Sequence, residues 1–100
     1  MNADLRIYPD PNECGLAWSF RHNAAERGDD MTGAYGPPCD DNEQATNALR
    51  DLWRDVLETH GDPALRALRA SFDYNDGACM TVLGEEGHVR AWAKGLGIEV

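Results

Sequence analysis

The run Leu68-Arg69-Ala70-Ser71-Phe72-Asp73-Tyr74-Asn75-Asp76-Gly77-Ala78-Cys79-Met80-Thr81-Val82-Leu83 decides the fold. Its first half alternates strictly, with Leu68, Ala70, Phe72 and Tyr74 on one side and Arg69, Ser71 and Asp73 on the other. A period of two belongs to a strand with one buried face. Asn75-Asp76-Gly77 supplies residues that tolerate the backbone of a tight turn, and Ala78 to Leu83 is rich in strand formers. The stretch reads as a hairpin. Its rival is a helix over Ala64 to Ser71, because Leu65, Leu68 and Phe72 also recur at helical spacing after Asp62-Pro63.

Upstream, Ala45, Ala48, Leu49, Leu52, Trp53, Val56 and Leu57 recur every three or four residues and predict a helix from Asp41 to His60. Asp40 with Glu43, or Asp41 with Gln44, offers a cap and its partner. Pro37-Pro38 forbids an earlier start, and His60-Gly61 is a stop. The outer face carries Glu43, Asn47, Arg50, Asp51, Arg54, Asp55 and Glu58.

Further out, Leu16, Trp18 and Phe20 alternate with Ala17, Ser19 and Arg21 as a strand, with Met31 to Tyr35 as its antiparallel return. Val89, Trp92, Ala93 and Leu96 space as a short helix ended by Gly95 or Gly97. Leu5 and Ile7 mark a further short strand, and Ile98 to Val100 an edge strand. The expected architecture is α+β, one domain over residues 1–100, with order close to ββα-ββα. An antiparallel sheet would carry two helices on one face and leave the other to solvent.

Composition narrows the function. One hundred residues carry 18 acids against 9 bases, a formal charge of −9, with acids spread over both halves. An acidic chain is poorly suited to bind nucleic acid directly, since phosphates recruit Lys and Arg. The longest uncharged stretch, Met31 to Cys39, is Gly- and Pro-rich and far short of the ~20 apolar residues a membrane helix needs. The N-terminal residues lack the basic flank and apolar run of a signal peptide. Three cysteines, Cys14, Cys39 and Cys79, leave one unpaired in any intramolecular scheme, which suits a reducing cytoplasm.

Catalytic and metal signatures fail on spacing. No two of Cys14, His22, Cys39, His60, Cys79 and His88 form the short pairs that close a zinc tetrahedron. Asp73 to Gly77 glances at a calcium loop, but Gly77 falls fifth rather than sixth, so a hairpin turn explains it better. No nucleophile elbow or phosphate-cradling glycine motif is present. Arg66, Arg69, Arg90 and Lys94 are a basic spot most simply read as neutralising nearby acids. Trp18, Trp53 and Trp92 lie on apolar sides and read as core, whereas Tyr8 and Tyr35 are candidate exposed anchors.

The expectation is therefore a non-enzymatic acidic inhibitor that binds a protein, without cofactor or metal. Its partner would be a basic protein surface, above all a nucleic-acid-binding effector complex, whose DNA path carboxylates occupy in place of phosphates. Small acidic anti-CRISPR and antirestriction proteins of phages and mobile elements act so in the cytoplasm of a bacterial host, an analogy of charge and size with no shared motif. The residues expected at the interface are Asp29, Asp30, Tyr35, Glu43, Asp51, Asp55 and Glu58. Arg50 and Arg54 interrupt the acidic face. The protein itself is expected as a monomer or small homo-oligomer with no membrane contact. Other readings are an adaptor or immunity-type protein with one dedicated partner, and a small thiol- or metal-dependent enzyme.

Overall fold

Ala3, Leu5 and Ile7 alternate with Asp4, Arg6 and Tyr8, and this short run becomes β1 (Asn2–Pro9), the middle strand of the sheet. The computed structural model describes residues 2–10, 15–22, 31–36, 41–58, 67–73 and 79–100. The other elements are β2 (Leu16–His22), β3 (Met31–Tyr35), α1 (Asn42–Glu58), β4 (Arg69–Asp73), β5 (Cys79–Glu85) and α2 (Glu86–Gly95). The five strands run in the order β3-β2-β1-β5-β4, every neighbouring pair antiparallel. Both helices pack on β1 and β5, so the α+β layering expected from the alternating patterns is what forms.

Register aligns the apolar residues in rows. Phe72 faces Met80, Met80 faces Ile7, and Ile7 faces Trp18. The next row is Ala70, Val82, Leu5 and Phe20. Leu5, Ile7, Phe20, Met80 and Val82 are fully buried there, beneath Leu49 of α1 and Val89 of α2. A sheet whose partners all share one inward parity has its register fixed, because a one-residue slip would turn the whole set to water.

Glycine is needed at one crossing. Gly33 on β3 faces Trp18, and the indole lies over it so closely that an added Cβ would sit 2.7 Å from Nε1 and 2.8 Å from two ring carbons. Gly33→Ala should therefore push Trp18 off its place and cost about 1–3 kcal/mol, as overpacking does. Chemical denaturation followed by tryptophan fluorescence checks this. An unchanged midpoint and spectrum would show that the indole relaxes freely.

α1 starts where Asp41 caps it. The Gln44 backbone N–H donates to Asp41 Oδ1 at 2.9 Å, and the Ala45 N–H to the Asp41 carbonyl at 3.2 Å. Of the two caps open in the sequence, Asp41 with Gln44 forms, and Asp40 lies outside the described residues. Ala45, Leu49 and Val56 are buried and Leu52 and Trp53 half-buried, with the Trp53 ring 5.7 Å from that of Phe72 on β4. Ala48, expected in the apolar stripe, is exposed.

One further expectation is corrected. Ile98 to Val100 forms no edge strand. Gly97 takes a left-handed φ of 84°, and the Gly97 and Ile98 N–H groups donate back to the carbonyls of Lys94 and Ala93 at 3.0 and 2.9 Å. This is the Schellman closure of a helix end, and it tucks Ile98 beside Ala93 in the core instead of against a strand. The strand expected at Leu5 and Ile7 does form, and it carries both halves of the sheet. The rival helix over Ala64 to Ser71 gives way to β4 from Arg69 onward, and residues 59–66 lie outside the described residues, as do 74–78, where the turn is expected.

Candidate functional site

α1 presents two exposed flanks of different character. Gln44, Ala48, Asp51, Asp55 and Glu58 follow one another at steps of four, three, four and three, which stacks them along one line of a helix. Glu43, Asn47, Arg50 and Arg54 follow the same steps on the adjoining line. All nine are exposed. Carboxylates thus gather at the C-terminal half of the first line, and the arginines fall on the second.

Of the expected site residues, the structure brings Asp51, Asp55 and Glu58 together. Tyr35 joins them from the end of β3. It is half-buried against the core instead of projecting freely, and its phenol is held above the usual 10.0 by that burial first and by the Asp55 carboxylate second. Glu43 does not join: it sits in the first turn, on the arginine line, about 12 Å along the axis from Asp51. An acid there complements the positive helix end. Asp29 and Asp30 lie outside the described residues. Ala48 was missed as a surface residue; its signal was the four-three spacing from Gln44 through Glu58, which competes with the apolar stripe for the same alanine.

The placement of Asp55 and Glu58 is electrostatically costly. Both occupy the last turn of α1, and no basic residue accompanies them there. Acids at this end oppose the helix macrodipole, by about 0.3–1 kcal/mol each at an exposed site. The helix dipole alone would not select them.

The Tyr35 environment has a measurable sign. Folding favours the neutral phenol, so the group adds no pH dependence while it is protonated in both folded and unfolded chains. As pH rises through 10.0, the unfolded phenol ionises first, the native state holds the extra proton, and stability falls. Asp55→Asn should bring the Tyr35 transition part of the way back towards 10.0, burial holding the rest. Phenolate absorbance titration, with Tyr35→Phe to assign the transition, checks it. No movement in Asp55→Asn would separate Tyr35 from the acidic flank.

Elsewhere the surface carries less. Arg90 donates from Nε and from one terminal nitrogen to Glu86 Oε1 at 3.0 and 2.9 Å, and its guanidinium lies 5.0 Å from the Phe20 ring centre. The basic spot read from Arg90 and Lys94 is thus neutralised locally at Arg90; Lys94 lines a shallow groove of about 400 Å³ beside Ile98. On the sheet face away from the helices, the buried Asp4 Oδ1 lies 3.8 Å from Arg21 Nε, near enough to pair as charges and too far for a hydrogen bond. Cys79 is a free thiol, Cys14 and Cys39 lie outside the described residues, and among those described no three His, Cys, Asp or Glu group as metal ligands. Among them, too, no helix is long and apolar enough to cross a membrane.

Fold and surface define a small α+β chain with an acidic helix flank bordered by a tyrosine. Compared with protein families, curated proteins and solved structures, it finds no match in any of the three.

Proposed function

We propose that this protein is a non-enzymatic inhibitor that docks the Asp51-Asp55-Glu58 flank of α1, with Tyr35 at its border, onto a basic protein surface. The observation that carries this is the pair of acids in the last turn of α1, at the helix end whose dipole disfavours them. Carboxylates on a rigid helix lose little entropy on binding and steer the encounter with a cationic partner. Ala48 on the same line lets a partner approach the helix closely, and a part-buried tyrosine is a common interface anchor. The most cationic surfaces of a cell are its nucleic-acid channels. The partner proposed is accordingly a nucleic-acid-handling effector complex of a bacterial host, blocked as phage anti-CRISPR and antirestriction proteins block theirs. The arginine line beside the acids disfavours a continuous imitation of DNA and favours a bipolar contact.

Affinity capture by the tagged chain, from bacterial lysate containing CRISPR and restriction machinery, tests the reading after low- and high-salt washes. A salt-released complex that cannot bind its DNA while captured supports it. A salt-resistant partner without a nucleic-acid role replaces it with the adaptor reading.

A further inference from the structure

Among the described residues the sheet ends in two edge strands, and β4 has a self-complementary sequence. Among the described residues, β4 is paired on one side only, with β5, so the other side offers its N–H and C=O groups to a further strand. Arg69, Ser71 and Asp73 are exposed on the open face, while Ala70 and Phe72 turn to the core and are half-buried. The strand therefore carries a positive charge two residues before Ser71 and a negative charge two residues after it.

An antiparallel copy placed about a two-fold axis through Ser71 brings these into register. Arg69 faces the second copy's Asp73, Asp73 its Arg69, and Ser71 its Ser71. On the core side, each Phe72 faces an Ala70, whose small side chain leaves room for the ring. Opposite charges directly across an antiparallel pair attract, and like charges repel. A shift of two residues either way sets one charge against Ser71 and leaves the other without its mate. A shift of one turns the apolar residues to the wrong face.

We infer that β4 is the edge by which two copies of this chain join, pairing about Ser71 so that the two sheets become one antiparallel sheet with α1 and α2 of both copies on the same side. The partner is a second copy because the complementarity is internal to one short segment. Contact between chains of charge −9 needs attraction where they meet. The other edge supplies none, since β3 has no charged residue and the same operation sets Gly33 against Gly33. A five-residue strand is small beside standard interfaces, so the dimer is a weak one, to be sought at concentrations on the order of 100 µM.

Sedimentation velocity of the full chain tests this by charge exchange. The wild type should sediment with twice the 11.0 kDa chain mass. R69D sets acid against acid and D73R base against base, so each alone should be monomeric, with circular dichroism to confirm folding. An equimolar mixture of the two should regain the dimer, since each then meets its opposite at both positions. The double variant R69D/D73R should regain it alone, which a merely structural effect of either residue would not allow. A wild type that stays monomeric overturns the pairing. So does a dimer that survives both single changes, or one recovered neither in the mixture nor in the double variant.

Discussion

Replacing Leu5 by alanine is expected to lower the unfolding free energy by about 2–5 kcal/mol. Leu5 is fully buried on the middle strand, facing Phe20 across one ladder and Val82 across the other. Hydrogen-bonded backbone flanks it on both sides, so the cavity has little room to collapse, which places the cost in the upper part of that range. Domains are stable by only about 5–15 kcal/mol, so the change removes a large share of the total. Arg6→Ala, one residue along and exposed, serves as the control and should stay within about 0.5 kcal/mol of wild type. Urea unfolding of both variants measures the contrast. A Leu5→Ala midpoint close to that of Arg6→Ala would mean β1 does not hold the centre of the sheet.

The second large effect is a separation of binding from stability. The triple change D51K/D55K/E58K should weaken capture of the cationic complex about 100-fold, if each reversal removes roughly 1 kcal/mol of exposed ion pairing. The same variant should be no less stable than wild type. Two of its lysines fall in the last turn of α1, where a cation gains about 0.3–1 kcal/mol from the helix dipole. Weaker binding by a domain of equal or greater stability is a result that damage to the fold does not produce. Thermal melts alongside binding isotherms at fixed salt would show it. Undiminished binding removes the α1 flank from the interface.

Local patterns were the legible part of the fold. α1 announced itself by its stripe and by the acids before it, and β4 by alternation that a short helix also partly fits. That Asp41 caps α1 is set by geometry that spacing alone does not decide. The rank of β1 was hidden for a different reason. Ala3, Leu5 and Ile7 show the period of two, yet nothing within eight residues says that the strand lies between β2 and β5. That depends on pairings across the whole chain, where the contacts of the distant hairpin outweigh local order. Ile98 to Val100 looks strand-like by residue type, and a single left-handed glycine sends it under the helix instead. On the surface, the acids of α1 could be read off a helical wheel. The company of Tyr35 could not, because it comes from another element, and Ala48 was lost to an equally regular competing period.

The position of β1 also governs how the chain comes to be folded. Its pairing with β2 closes a short connection, whereas its partners on β5 lie roughly seventy to eighty positions later in the chain. As the ribosome releases the polypeptide, β1, β2 and β3 are available to form a meander long before β5 exists. Through that interval β1 is itself an edge, with one row of backbone groups unpaired and its apolar side chains lacking half their cover. The late hairpin then acts as the closing piece, and the entropy of the intervening loop is lost in the same step that completes the core. Translation stalled before residue 79 would leave a three-stranded fragment whose stickiest edge is the strand that ends at the centre of the finished molecule.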